Sequence, residues 1–369
     1  MYSPGQSKLK VALLGTGGIA TPHVTALRLL PGLEVIAVCD IDRPKAEAFA
    51  ADHGIPQVFD NLESLLAPAR PDVVHVLLPP AAHAAAAAQC LRAGVHVLAE
   101  KPFALHPSEC HQLSALAIQS GCHLGVNHNY LFIPAFQRLI QCIRRRELGA
   151  IEHVSVQFAI SMPALFSPPH THWMFREPRN ILLEWGPHPV SIICHLLGAV
   201  KQASTATFSP LTLSNGQVFF QDWMSSMDCE RGCASLQIRF GSQNHSLSVH
   251  VLGQDGEAYV DLTRDILRVH LKRPYLRLHD LVDTLAVSAS TLAQGTKNLA
   301  RNILGTAGLQ KPFLAQDVMV HASLRDFYQA LSLNLPPIAS ASHATAVIEA
   351  CELMWASATL TDQKGAPHV

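Results

Sequence analysis

The sequence carries almost no net charge. Its 27 Lys and Arg residues balance 28 Asp and Glu residues, giving a formal charge of −1, and charged side chains make up only 15% of the chain. Such a balance offers no basic stripe to hold a phosphate backbone or an anionic bilayer, so neither nucleic acid nor a polybasic membrane surface is expected as a partner. Apolar runs of 18 residues are also lacking. The most apolar region, 73–99, is broken by Pro79-Pro80, Arg92 and Gly94, which excludes an ordinary membrane-spanning helix there. Cys-x-x-Cys pairs are absent as well. The nine cysteines are scattered, and the closest two, Cys229 and Cys233, have no second Cys or His pair nearby, so no metal site is expected. Free thiols in a reducing, cytoplasmic compartment fit this usage. There is no internal repeat and no low-complexity linker. Lys8 and Lys10 before the apolar residues 11–14 resemble the start of a signal peptide, but the run enters Gly15-Thr16-Gly17-Gly18 at once. That pattern reads as a buried strand feeding a turn.

Hydrophobic residues make up 49% of the 369 positions, enough for a sizeable core. At roughly 100–200 residues per domain, the length suits two domains. Up to residue 126 short apolar strands alternate with helical stretches. Strands are expected at 10–14, 33–39, 58–59, 73–78, 95–99 and 123–126, with helices at 21–30, 44–54, 62–66, 81–93 and 107–120. A β-α-β-α series of this kind implies an α/β domain, a parallel sheet wound on both faces. Beyond residue 127 the texture changes. Strands at 151–160, 217–220, 233–240, 246–252 and 257–261 follow one another with little helix between them, which implies an α+β domain with a mainly antiparallel sheet. Helices are expected at 281–303 and 343–356. The expected domains are therefore 1–126 and 127–369.

The clearest motif is Gly15-Thr16-Gly17-Gly18-Ile19-Ala20, a Gly-x-Gly-x-x-Ala turn between a strand and a helix. Gly15 permits the tight turn, Gly17 lets a pyrophosphate approach the backbone, and Ala20 allows close helix–strand packing. The helix N-terminus then offers amides to phosphate. Strand two ends in Asp40, 20 residues after Ala20, where an acid meets an adenosine ribose 2′-hydroxyl. This points to a dinucleotide, and to NAD over NADP, because a carboxylate repels a 2′-phosphate; Arg43 close by is the one opposing feature. A second feature is Glu100-Lys101-Pro102 at the carboxyl end of an apolar strand, the side of a parallel sheet that faces ligand.

With these residues in place the chain resembles the Gfo/Idh/MocA oxidoreductases (glucose–fructose oxidoreductase, inositol dehydrogenase and relatives). The resemblance runs through the Gly15 turn, Leu78-Pro79-Pro80 and His83, Ala93-Gly94-Val95-His96-Val97, Glu100-Lys101-Pro102, Asn127-His128-Asn129-Tyr130 and Glu147-Leu148-Gly149, and weakens after about residue 200. It implies a Rossmann domain followed by an α+β domain for substrate binding and oligomerisation, whose open sheet joins subunits as a homodimer or homotetramer. It also implies NAD(H) and a hydroxyl-bearing substrate such as a sugar, sugar derivative, cyclitol or glycoside. Gly15, Thr16, Gly17, Gly18, Ile19, Asp40, Arg43, Leu78, Pro79, His83, Glu100, Lys101 and Asn129 then fall at cofactor-binding positions. The family's Asp-x-x-x-His motif is matched by Glu184-Trp185-Gly186-Pro187-His188, which puts Glu184 and His188 at catalytic positions with Lys101. On a helix the i, i+4 spacing sets both on one face.

Oxidising an alcohol requires removal of the O–H proton while hydride leaves carbon, and a neutral imidazole suits that transfer. Lys101 can hold the oxygen and stabilise developing negative charge. Two departures stand out. Glu184 is one methylene longer than the usual Asp, and Leu131 occupies a position where many relatives carry Arg. Residues 162–176 are rich in aromatic and His side chains and read either as a pocket wall or as core. With Tyr130, Trp173 and Arg176 they complete the substrate-binding candidates. His170-x-His172 has metal-like spacing but no acid or third ligand near it in sequence. Arg144-Arg145-Arg146 suits a solvated helix end. Two other readings remain for the same residues. One is a lyase, epimerase or glycosidase that recycles hydride on tightly held NAD. The other is a nucleotide-binding regulator without turnover, against which the presence of both Lys101 and His188 argues.

Overall fold

The computed structural model describes residues 8–272, 277–309 and 316–360. Its elements form two compact units: residues 1–129 with 315–348, and residues 130–314 with 349–369.

The first unit opens with β1 (Leu9–Leu14), α1 (Ala20–Arg28), β2 (Leu33–Cys39), α2 (Arg43–Asp52), β3 (Gln57–Phe59) and a short α3 (Leu62–Ser64). It continues through β4 (Val73–Val76), α4 (Pro80–Arg92), β5 (His96–Ala99), α5 (Pro107–Ser120) and β6 (Leu124–Val126). The six strands are all parallel, in the order β3-β2-β1-β4-β5-β6. This is the doubly wound 3-2-1-4-5-6 order, whose strand sequence reverses between β1 and β4 and opens a crevice at their carboxyl ends. β4 is buried along its whole length, His75 included, as a largely apolar strand covered on both faces is expected to be. Helix starts follow the sequence signals: Asp42 caps α2 by accepting from the Lys45 amide, and Pro80 and Pro107 occupy first-turn positions of α4 and α5. The later helix α10 (Gln316–Leu333) returns to this unit and packs on α1. There Val320, Leu324 and Phe327 join Val11, Leu13, Val24 and Leu27 in one core.

The second unit contains α6 (Pro134–Arg144), β7 (Ile151–Ile160), α7 (Asn180–Trp185), α8 (Pro187–Leu197), β8 (Val200–Thr212), β9 (Val218–Cys229) and β10 (Gly232–Phe240). β11 (Ser246–Gly253), β12 (Gly256–Asp261), β13 (Ile266–Leu271) and the long α9 (Arg277–Thr306) follow. The chain passes through α11 (Ala341–Ala356) into β14 (Ala358–Leu360). Eight strands form one sheet, β13-β12-β11-β7-β10-β9-β8-β14; only β7 with β10 and β8 with β14 run parallel, so the sheet is mainly antiparallel. One face is the core: Val154, Val156, Phe158 and Ile160 of β7 are buried with Leu236 and Ile238 of β10. α8 packs on β7 and β10 and buries nearly every residue. The alternate residues, Ser155 and Gln157 in register with Ser235 and Gln237, leave the other face polar and open.

β8 and β13 have no counterpart among the sequence expectations, and β9 extends well past 217–220. β8 reads Val-Lys-Gln-Ala-Ser-Thr-Ala-Thr, with little apolar alternation. The fold pairs its polar residues, and buried Thr205 bonds Ser225 of β9 at 2.8 Å.

Candidate active site

The glycine turn is built as its residues require. Gly15 has φ +106°, and a Cβ there would lie 2.6 Å from the Leu77 carbonyl oxygen, so both the left-handed backbone and the close approach need glycine. A Cβ at Gly17 or Gly18 would meet nothing within 4 Å, so the turn borders open space. Ile19 stands at the N-cap of α1, and the Ala20 amide bonds the Gly17 carbonyl at 3.0 Å. Asp40 docks on this turn from the end of β2. Its Oδ2 accepts from the Thr16 amide at 2.8 Å and the Thr16 hydroxyl at 2.7 Å, and its Oδ1 accepts from the Asp42 amide at 3.1 Å. Burial pushes the Asp40 pKa up, but the Thr16 and Asp42 hydrogen bonds and Lys45 prevail and hold it below the usual value. The ionised carboxylate keeps lone pairs for a further donor. Arg43 is exposed and engaged by Glu47 at 2.9 Å and Asp60 at 3.6 Å, while Lys45 stands 3.9 Å from Asp40.

At the end of β4, Leu78 is half-buried and Pro79 caps α4. His83 is buried and reaches the Leu78 and Pro102 carbonyls at 2.7 and 2.8 Å. Burial lowers its pKa, and a neutral ring has one N–H to donate, so it bonds only one of the two carbonyls while sitting between the turn before α4 and the Lys101-Pro102 segment. Glu100 is buried; its Oε1 accepts from Asn127 at 2.6 Å and meets His23 at 2.9 Å, and its Oε2 accepts from the Lys101 amide at 3.3 Å. Lys101 is half-exposed. The Asn127 Oδ1, the Asn129 Oδ1 and both ring nitrogens of His128 are buried without a hydrogen-bond partner among the described residues. Buried polar atoms ordinarily find partners, and these atoms keep their hydrogen-bonding capacity for one. The glycine opening, the ionised Asp40 and these orphaned groups fit a nicotinamide dinucleotide.

The second unit brings four predicted residues into two pairs. Glu184 accepts from the Trp173 indole N–H at 2.9 Å. His188, buried in the first turn of α8, stacks on Tyr130 with ring centroids 4.1 Å apart. Burial pushes the Tyr130 hydroxyl up to about 12, so it stays protonated. The helix expected to carry Glu184 and His188 is divided at Gly186 into α7 and α8. Pro187 and Pro189 have no N–H to continue the ladder. Gly186 nevertheless keeps right-handed helical angles, and its amide bonds the Leu182 carbonyl at 2.8 Å. The four-residue spacing therefore crosses the break. Arg176 is exposed. Within 162–176, Met162, Met174 and Phe175 are core, whereas Trp173 is half-exposed. His170 is also buried, with its ring nitrogens engaged by Ser214 and the Leu165 carbonyl at 2.9 Å each. Leu131 is fully buried. No group of three or more His, Cys, Asp or Glu suited to a metal is found among the described residues.

Three site-associated residues carried no sequence signal. His23, His75 and Tyr328 line up behind Glu100, but they are separated by 52 and 253 residues. The one clue was a histidine in an otherwise continuous apolar strand, at position 75.

Sheet order, crevice and turn define the first unit as a dinucleotide-binding Rossmann domain. Residues 9–128, about a third of the chain, match the family "Oxidoreductase family, NAD-binding Rossmann fold". It is similar to D-apiose dehydrogenase of Paraburkholderia graminis, 26% identical over 200 residues, 54% of this chain and 52% of that protein. D-glucoside 3-dehydrogenase of Escherichia coli is 27% identical over 59% of this chain and 62% of its own. The matches thus span a little over half the length of these relatives. In fold, the WlbA dehydrogenase of Bordetella pertussis, solved with NADH and UDP-GlcNAcA, superposes over 96% of both chains with a TM-score of 0.75 at 16% identity. No described helix is long and apolar enough to cross a membrane.

Proposed function

We propose that the protein is an NAD(H)-dependent oxidoreductase that moves hydride between the nicotinamide and a secondary alcohol or ketone of a sugar, sugar derivative, cyclitol or related glycoside. The observation that carries the reading is the ionised Asp40 seated on a glycine turn that borders open space. The family match over residues 9–128 and the sugar dehydrogenases among the relatives support it. In this reading residues 1–126 bind cofactor and 127–369 bind substrate and associate.

The turn from Gly15 to Ile19 and the first amides of α1 take the pyrophosphate, and Asp40 takes the adenosine ribose hydroxyls. Its charge disfavours a 2′-phosphate, which makes NADP the lesser cofactor; Arg43 is occupied by acids. Leu78, Pro79 and Asn129 border the nicotinamide half, with His83 and Glu100 holding their turns. Bound NAD supplies the hydride acceptor. Lys101 holds the reacting oxygen and offsets its developing negative charge. His188 accepts the O–H proton, with its ring plane fixed by Tyr130. Glu184, oriented by Trp173, binds a neighbouring substrate hydroxyl, and Arg176 is available to an anionic substituent.

The open polar sheet face supports a homodimer or homotetramer joined there. The nine cysteines, none of them in a disulfide among the described residues, support a reducing compartment, the cytoplasm. The test is absorbance at 340 nm with NAD(H) against sugars, glycosides, cyclitols and their ketones. Substrate-dependent change with NAD(H), greater than with NADP(H), is expected. Product formation at constant absorbance would replace net oxidation by internal hydride recycling, and no reaction with any class would sink the proposal.

A further inference from the structure

A continuous file of buried polar groups runs through the first unit behind Glu100. The Tyr328 hydroxyl on α10 lies 2.7 Å from His75 Nε2 on β4. His75 Nδ1 lies 2.8 Å from His23 Nδ1 on α1, and His23 Nε2 lies 2.9 Å from Glu100 Oε1. Both imidazoles are wholly inaccessible, and Tyr328 is 5% exposed. The glycine turn that begins the cofactor site leads into α1, and Lys101 follows Glu100. None of the three added residues belongs to the site derived above.

Each of the three contacts needs one hydrogen. Two neutral imidazoles and one hydroxyl supply three, and they fill the chain in only one direction. Tyr328 O–H donates to His75 Nε2, His75 Nδ1–H donates to His23 Nδ1, and His23 Nε2–H donates to Glu100. Every donor then points towards the carboxylate, and no extra charge is buried. The competing arrangement places an imidazolium at His23, reverses the His75 tautomer and adds one proton. Bonds in such a chain polarise one another, so a single direction also strengthens the last donor.

We infer that Tyr328, His75 and His23 are positioning residues: a neutral one-way relay that holds Glu100 as a fixed, ionised carboxylate and so sets the electrostatic setting of Lys101. Glu100 is faced by His23 on α1, by Lys101 beside it and by His83 on α4, with His75 and Tyr328 behind His23 and with His128 after β6 next to Lys101. Burial alone raises the Glu100 pKa; the hydrogen bonds from His23 and Asn127, with the Lys101 charge, reverse this and keep it low. Burial drives the His75 pKa well below its ordinary value, which agrees with a neutral ring. Without the His23 donor the desolvation of Glu100 is less opposed, and the carboxyl takes up a proton at higher pH.

The inference rests on the proposed oxidoreductase reading for its kinetic readout, so two measurements separate the claims. The first needs no activity. In the full chain with 15N-labelled histidine at pH 7.5, imidazole spectra are expected to show His23 protonated on Nε2 alone and His75 on Nδ1 alone. A doubly protonated His23, or His75 protonated on Nε2, overturns the one-way relay whatever the enzyme does. The second compares pH profiles of kcat/KM. His23→Leu is expected to move the acid limb up by at least one unit. His23→Gln, whose amide also donates to Glu100 and accepts from His75 but cannot ionise, is expected to keep the limb within a few tenths of a unit and the rate within threefold. An unmoved limb in a folded His23→Leu protein overturns the positioning role. A His23→Gln protein that behaves like His23→Leu shows that a charged His23 is required, which also overturns it. A wild-type protein without turnover sinks the functional proposal alone and leaves the spectra to decide the relay.

Discussion

At the scale of single residues, the proposed site divides into groups that meet the substrate and groups that hold them. Lys101 and His188 are assigned to the reacting oxygen and its proton. Replacing either with Ala is expected to lower kcat/KM about 10²–10⁴-fold, with thermal stability little changed, in the 340 nm assay. Unaltered turnover in either variant contradicts the mechanism. The sequence cues for the proposed residues are local. Gly15, Gly17 and Asp40 sit at fixed offsets around one strand–turn–helix, and Glu100-Lys101 ends an apolar strand. His23, His75 and Tyr328 were not legible. Each is an ordinary residue of its own element, and the file exists only once β4, α1 and α10 are packed together.

At the scale of elements, backbone geometry fixes the site more than side-chain identity does. Gly15→Ala would place a Cβ against the Leu77 carbonyl and force an L-residue to φ +106°. The strain alone costs about 1–3 kcal/mol, and its relief has to shift the turn. The expected result is a lowered Tm together with at least a tenfold loss of NADH affinity; unchanged affinity would show that the turn is not the phosphate site. The parallel strands of the first unit were legible as unbroken apolar runs with glycine stops. The division of α7 from α8 was half legible. Pro187 and Pro189 announced it, but the helical angles at Gly186 that preserve the Glu184–His188 spacing did not show in the sequence. β8 was illegible because Ser and Thr satisfy one another across the strands in place of an apolar alternation. Residues 162–176, which read either as a pocket wall or as core, are divided: Met162, His170, Met174 and Phe175 are buried while Phe166, His172 and Arg176 are exposed, and a run of Met, Phe and His carries no periodicity to say which residues face inward.

At the scale of the whole molecule, many histidines are buried in a neutral form. Burial depresses the pKa of His75, His83, His96, His128 and His195 below 6.5. The unfolded chain therefore binds more protons than the folded one just below that pH. Stability is fully present above pH 6.5 and is lost as the pH falls below it, by about 1.4 kcal/mol per pH unit for each proton of difference. Asp40 and Glu100 add a further loss only below their ordinary values of 3.8 and 4.5. Urea denaturation at pH 7.5 and 5.5 is expected to show a lower midpoint at the acid pH, and an equal or higher midpoint would contradict the neutral burial of these rings.

The most direct test of the central claim is calorimetric titration of the purified protein with NADH and NADPH. One site per chain is predicted, with NADH bound at least tenfold more tightly than NADPH and the preference lost in Asp40→Ala. Absence of saturable binding by a protein shown to be free of nucleotide, or a preference for NADPH in the wild type, would contradict the assignment of the Gly15 turn and Asp40.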